Sequence, residues 1–107
     1  PALYEAYHDI IPVLQPSINQ DNKVYDVVGP VCETGDTFAK SRTMNICKPG
    51  DLLAFRSAGA YGAAMASEYN TRPLVPEVLV NNSDYLAIRE RPTLEEIIAR
   101  DKIPNWL

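Results

Sequence analysis

Val24-Tyr25-Asp26-Val27-Val28-Gly29-Pro30 decides how the rest of the chain is read. β-Branched and aromatic side chains dominate its first five residues, which suits a half-buried strand. Gly-Pro then stops the run, because proline brings no N–H to a ladder and glycine accepts a strained turn. The residues after that stop, Cys32 to Asp36 among them, are expected to form a loop. The same punctuation repeats outward. Lys48-Pro49-Gly50-Asp51 is a turn by composition, and Leu52-Leu53-Ala54-Phe55 reads as a buried strand behind it. Pro76–Val80 and Tyr85–Arg89 flank Asn81-Asn82-Ser83-Asp84, a hairpin pattern. Nine prolines and five glycines spread over 107 residues indicate short β segments rather than a bundle of long helices.

Two stretches are expected to be helical. Gly62–Tyr69 is rich in alanine and methionine, and Leu94–Arg100 places Leu94, Ile97 and Ile98 on one face. The second has a start signal of its own: Thr93 followed three residues later by Glu96 makes a capping box. The closing Ile103-Pro104-Asn105-Trp106-Leu107 carries the single tryptophan and is expected to dock on a surface. There is no internal repeat, low-complexity tract or linker.

Composition bounds the function. With 46% apolar and 22% charged residues the chain is one soluble domain at most, and a complete (β/α)₈ barrel, which takes about 250 residues, does not fit. Ten basic against 14 acidic side chains, a net charge of −4 and no Lys/Arg block argue against nucleic acid and membrane surfaces as partners. No apolar run exceeds four residues, far below the roughly 18 that span a bilayer. No secretory signal is visible, and two cysteines, Cys32 and Cys47, fit free thiols in a reducing, cytoplasmic compartment. A first residue of Pro1 instead of Met suggests a piece of a longer gene product.

Chemistry concentrates in Cys32-Glu33-Thr34-Gly35-Asp36, where a thiol, two carboxylates and a hydroxyl follow a strand stop. A thiol can donate a proton or attack as a nucleophile, and a neighbouring carboxylate can receive an ammonium. The bland alternative makes Cys32 a small core residue and the carboxylates solvated turn residues. In Ala58-Gly59-Ala60-Tyr61-Gly62-Ala63-Ala64, glycine on both sides of Tyr61 permits close approach to a ligand, and a phenol at a helix start can sit beside a phosphate. Its bland alternative is a strand-to-helix turn with one packed tyrosine. His8 and Cys32 could pair as a hydrolase dyad, though nothing in the sequence places them together. Cys32 and Cys47 lack the close cysteine pair of most structural zinc sites, so no metal is expected.

Pro1-Ala2-Leu3-Tyr4, Gly29-Pro30-Val31-Cys32-Glu33-Thr34-Gly35-Asp36, Lys48-Pro49-Gly50-Asp51 and Ala58-Gly59-Ala60-Tyr61-Gly62, taken in order, resemble the carboxy-terminal region of the diaminopimelate decarboxylase family. Ser67–Pro73, Leu94–Ile98 and Pro104–Leu107 extend the resemblance through nearly the whole chain. It implies a fold-type-III pyridoxal-phosphate enzyme: an amino-terminal (β/α)₈ cofactor barrel, absent here, joined to a carboxy-terminal domain that residues 1–107 mostly match. The implied fold is mainly β, a partial Greek-key-like β-barrel of the alanine racemase C-terminal type, with short helices including one near the C-terminus.

The implied reaction converts meso-2,6-diaminopimelate to L-lysine and carbon dioxide with pyridoxal 5'-phosphate as cofactor. Its Schiff-base lysine and phosphate-binding glycines, and an arginine one position before Pro1, fall outside this chain. Cys32 is then the proton donor to Cα. A thiol is largely protonated at neutral pH yet releases its proton more readily than a hydroxyl. Glu33 receives the substrate's distal ammonium, Tyr4 contacts the distal end, and Tyr61 touches substrate and cofactor, its phenol near the phosphate.

The resemblance also implies a homodimer with shared sites, the Cys32–Glu33 loop completing the partner's site while Tyr4 and Tyr61 serve their own. Related ornithine decarboxylases carry Asp after the Cys, so Glu33 with Gly35-Asp36 favours the diaminopimelate branch. Thr34 stands where Ser is commoner in the family, and Ser57 where an acidic residue is frequent. The isolated chain is expected to be inactive. Two other readings remain open: a free-standing β module used only for dimerisation or binding, and a Cys-dependent hydrolase.

Overall fold

The computed structural model describes residues 5–14 and 21–107. Tyr4 therefore lies outside the described residues. In chain order the elements are β1 (Ile10–Pro12), β2 (Asn22–Val28), β3 (Thr37–Asn45), β4 (Leu53–Phe55), a π-helical turn (Gly59–Ala63), a 3-10 turn (Tyr69–Thr71), β5 (Glu77–Asn81), β6 (Asp84–Arg89) and α1 (Leu94–Ile98). The chain is mainly β, as its punctuation indicates. The strands pair antiparallel as β1–β4, β2–β3 and β5–β6, three two-stranded ladders. A barrel closes only when every strand has a neighbour on both edges. Each described strand has one neighbour, so the described residues make no closed barrel. Two compact units divide the chain, Pro1–Met65 and Ala66–Leu107.

In the first unit β2 ends at Val28, where Gly29-Pro30 stops it. Its partner β3 is absent from the sequence reading, and the register explains why. Tyr25 faces Arg42, Val27 faces Ala39 and Val28 faces Thr37, so β3 carries extra residues at two bulges and its polar and apolar positions fall out of strict alternation. Ser41 sits at one bulge with φ +49°, and the Asp26 carboxylate accepts its N–H at 2.8 Å. That bond stabilises a conformation that a serine rarely adopts.

β1 pairs Ile10 with Phe55 and Pro12 with Leu53, and the ladder extends through Val13 N–H to the Leu52 carbonyl and Arg56 N–H to the Asp9 carbonyl. Phe38 on β3 packs its ring 4.6 Å from that of Phe55 on β4. Ile10 and Met44 are the buried apolar residues among those described, at 6% and 8% exposure. The sequence reading of Leu52–Phe55 as a buried strand needs correction. Leu53–Phe55 are half-buried, and Leu52 is 70% exposed.

The helix expected over Gly62–Tyr69 is replaced by the turn at Gly59–Ala63, where Ala63 N–H reaches back five residues to the Ala58 carbonyl. Glycines weaken helix propagation here, and no residue of the turn is buried to compensate. Asn70 and Thr71 then take positive φ, 55° and 57°, which ends any helical run. The Lys48–Asp51 turn forms as read: Gly50 has φ +96°, Asp51 N–H donates to the Lys48 carbonyl, and the Asp51 carboxylate accepts Lys48 N–H at 2.7 Å.

In the second unit Asn82-Ser83 joins β5 to β6, with Asn82 at φ +54°, a conformation asparagine tolerates. Arg89 and Glu77 close the open end of the hairpin at 2.8 Å. Val78, Leu79, Val80, Tyr85, Leu86 and Ile88 all remain exposed. α1 is shorter than the Leu94–Arg100 pattern, but its capping box is present: Glu96 N–H donates to Thr93 Oγ1 at 3.1 Å, and Glu96 Oε2 accepts Thr93 N–H at 2.8 Å. Arg100, just beyond α1, pairs with Glu68 at 2.7 Å. Trp106 is 79% exposed in the chain. Among the described residues no helix is long and apolar enough to cross a membrane.

Candidate active site

The loop that carries the thiol connects β2 to β3, which makes Cys32 and Glu33 part of a hairpin tip. Gly29 N–H donates to the Asp36 carbonyl at 2.8 Å and closes the loop at its base. Asp36 works inward as well: its Oδ2 accepts Val31 N–H at 2.9 Å, while its own N–H donates to the Glu33 carbonyl at 3.1 Å. Thr37 Oγ1 donates to the Thr34 carbonyl at 3.0 Å. Space is tightest at Gly29, which faces the tethered Asp36 carboxylate, whereas the contact at Gly35 is with the end of a flexible, exposed side chain. A Cβ at Gly29 would collide with the Asp36 carboxylate, and one at Gly35 with Glu33 Oε2.

This geometry removes one half of the bland reading, the core cysteine, and leaves the exposed carboxylate compatible with either reading. Cys32 is a free, exposed thiol and not a small core residue. Glu33 is exposed beside it, with Oε1 accepting from Thr34 Oγ1 at 3.3 Å. Asp36, by contrast, is half-buried and tethers the loop. The two carboxylates thus differ: Asp36 holds the loop, whereas that of the exposed Glu33 folds back toward Gly35 and Thr34. A proton donor and an ammonium acceptor can act from such a tip on a ligand supplied from outside the loop.

Tyr61 stands apart, on the π-helical turn that follows β4, and is 60% exposed. It is not the packed tyrosine of the bland reading. A Cβ built at Gly59 meets nothing within 4 Å, so the approach to that turn is open. The turn is five residues long, too short for the aligned dipole of a helix start, which leaves the phenol as its polar group.

His8 is buried, with Nδ1 3.1 Å from the Arg56 carbonyl on the strand side, the position of a structural histidine. Among the described residues no group of three His, Cys, Asp or Glu is placed to hold a metal.

Arg42 has no sequence signal, because its partners lie far away in the chain. From β3 its Nη1 donates to the His8 carbonyl at 3.0 Å, and its guanidinium lies 4.2 Å over the Tyr7 ring. Next to it runs a groove of about 390 Å³ lined by Glu5 and Tyr7 and by Thr34, Thr37, Lys40 and Arg42.

The model of one protein family, described as pyridoxal-dependent decarboxylase, C-terminal sheet domain, matches residues 1–59. Diaminopimelate decarboxylase of Zymomonas mobilis subsp. mobilis is 49% identical across all of this chain, which spans 25% of that protein. The Neisseria meningitidis serogroup A protein of the same name is 52% identical over 94% of this chain and 24% of its own length. Among solved structures, diaminopimelate decarboxylase from M. jannaschii in co-complex with L-lysine matches all of this chain and 24% of that one, with a TM-score of 0.86 and 38% identity. The Helicobacter pylori enzyme complexed with L-lysine gives 0.81 and 41% over 94% of this chain and 24% of its own. The chain spans about a quarter of the length of each of these relatives.

Proposed function

The chain belongs to the pyridoxal-dependent decarboxylases, as their C-terminal sheet domain, and from that premise we propose that it works inside a longer diaminopimelate decarboxylase. The reaction is the removal of one carboxylate from meso-2,6-diaminopimelate to give L-lysine and carbon dioxide. The observation that carries this reading is the exposed Cys32 thiol beside the exposed Glu33 carboxylate on a tethered hairpin tip. Two similar structures complexed with L-lysine support the substrate class.

Cys32 holds a proton on Sγ and delivers it to the carbon from which carbon dioxide has left. The C–C bond breaks, a C–H bond forms, and the thiolate recovers its proton from solvent. Glu33 accepts a charge-assisted hydrogen bond from the ammonium at the far end of the substrate. Tyr4 contacts that end as well. Asp36 keeps the tip in place while the two exposed groups act.

Pyridoxal 5'-phosphate, when bound, supplies the sink for the electron pair left behind. Tyr61 suits it: an exposed phenol on a turn with an open glycine can donate to a phosphate oxygen and touch substrate. The Schiff-base lysine and the phosphate-binding glycines belong to the remainder of the longer protein.

In the same reading residues 1–107 are the domain that follows a (β/α)₈ barrel, and its fold is a partial Greek-key-like β-barrel of the alanine racemase C-terminal type. Two copies share their sites, each lending its Cys32–Glu33 tip to the other and keeping Tyr4 and Tyr61 for itself. The compartment is the cytoplasm.

The intact protein, supplied with cofactor and diaminopimelate, releases carbon dioxide and lysine, and Cys32→Ser lowers kcat by about 10²–10⁴-fold, the range for a positioned proton donor. Full turnover by that variant would overturn the assignment. The 107-residue chain alone, with added cofactor, releases no carbon dioxide above background.

A further inference from the structure

We infer that Arg42 is a positioning residue for substrate binding: it clamps the segment that follows Tyr4 onto the strand that follows the Cys32–Glu33 tip. The inference rests on the proposed function and adds a specificity determinant that lies outside the motifs carrying that function.

Arg42 makes two contacts with this segment, and they differ in kind. Its Nη1 donates to the His8 carbonyl at 3.0 Å, a bond to main chain, so it fixes backbone rather than a side chain. Its planar face covers the Tyr7 ring at 4.2 Å, which a point charge cannot reproduce. Among the described residues no carboxylate pairs with it, so the guanidinium is committed to these two neighbours. Arg42 itself is anchored, because Tyr25 faces it across the β2–β3 ladder.

Beyond His8 the segment is held independently. The His8 ring lies against the Arg56 carbonyl, Arg56 N–H donates to the Asp9 carbonyl, and Ile10 pairs with Phe55. Upstream of Tyr7, Glu5 and Tyr7 border the groove that Thr34 and Arg42 also line. Of these contacts, those of Arg42 fall earliest in the segment, at Tyr7 and His8, three and four positions after Tyr4 in sequence.

If Tyr4 contacts the far end of the substrate, release of the clamp weakens binding more than chemistry. Cys32 and Glu33 keep their own tether through Asp36, whose bonds do not involve Arg42.

The test uses the intact, cofactor-loaded protein, with rates normalised to bound cofactor so that misfolded material is not counted. Arg42→Met is expected to raise KM for diaminopimelate about tenfold, as the loss of a charge-assisted bond implies, with kcat changed less than about twofold. Arg42→Lys, which keeps a donor but not the planar face, falls between. In a Tyr4→Phe background the KM effect of either variant disappears, because both act through one contact.

Effects that multiply across the Tyr4→Phe background, or a fall in kcat at constant KM, would overturn the inference. Should Arg42→Met not fold, Arg42→Lys and Tyr7→Leu apply the same cycle with the same two outcomes. A wild-type protein without activity on diaminopimelate overturns the proposed function itself, whereas an active wild type with unaltered KM in these variants overturns only the role of Arg42.

Discussion

β2–β3 and β5–β6 are both antiparallel pairs, yet residues 29–36 join the first and Asn82-Ser83 alone joins the second. A two-residue turn is set by backbone geometry and leaves only Asn82 and Ser83 to present. The longer connection can display groups, but it loses chain entropy when ordered and must be held. Asp36 supplies that restraint by bonding Val31 N–H, and Gly29 leaves room for its carboxylate. Around the first pair Met44 is buried and Tyr25 OH accepts Cys47 N–H. The second pair exposes Val78, Leu79, Val80, Tyr85, Leu86 and Ile88. One hairpin is organised around a displayed tip, the other is a bare apolar ribbon, and two strands without cover are marginal in water.

The sharpest way to break this comparison is Asp36→Ala. It removes the acceptor of Val31 N–H without touching Cys32 or Glu33, and kcat of the intact protein is expected to fall about 10- to 100-fold through misplacement of the tip. Steady-state kinetics check this. An unchanged kcat would show that the tip holds its shape without the tether.

Thr93→Ala acts in the second unit. It removes the acceptor of Glu96 N–H at the start of α1, and a loss of about 1 kcal/mol is expected. Hydrogen exchange at residues 94–98 reads it directly, since the faster exchange should stay within α1.

The smallest effect belongs to Leu86→Lys on the apolar ribbon. In the isolated chain its stability should change by no more than about 0.5 kcal/mol, as for an exposed site. Sedimentation across a concentration series should show the unsubstituted chain self-associating and the variant doing so less, because bare apolar ribbons and edges invite pairing. A loss of about 2 kcal/mol or more would place Leu86 in a core and dissolve the contrast between the two hairpins.

Legibility followed the range of the interactions. Where neighbours in sequence decide a structure, the residues announce it: Gly29-Pro30 ends β2, Pro49-Gly50 turns the chain, Thr93 and Glu96 cap α1. Cys32 and Glu33 stood out for the same reason, their loop being defined by a local stop. β3 was illegible because bulges break its alternation. The Gly62–Tyr69 helix misled because alanine propensity is a weak force without a face to bury. As carboxylates in one loop Asp36 and Glu33 are equivalent in sequence, and only the bond to Val31 N–H separates the half-buried tether from the exposed residue.

By itself the sequence determined the mainly β character, the turns, the capped helix and the residues able to carry chemistry, all of which depend on contacts within a few positions. Tertiary structure alone decided how β1 finds β4 across more than 40 positions and that Arg42 reaches the carbonyl of His8, 34 residues away. The physical reason is loop closure: bringing distant residues together costs entropy that is recovered only when many pairs form at once, so no short stretch of sequence records the outcome.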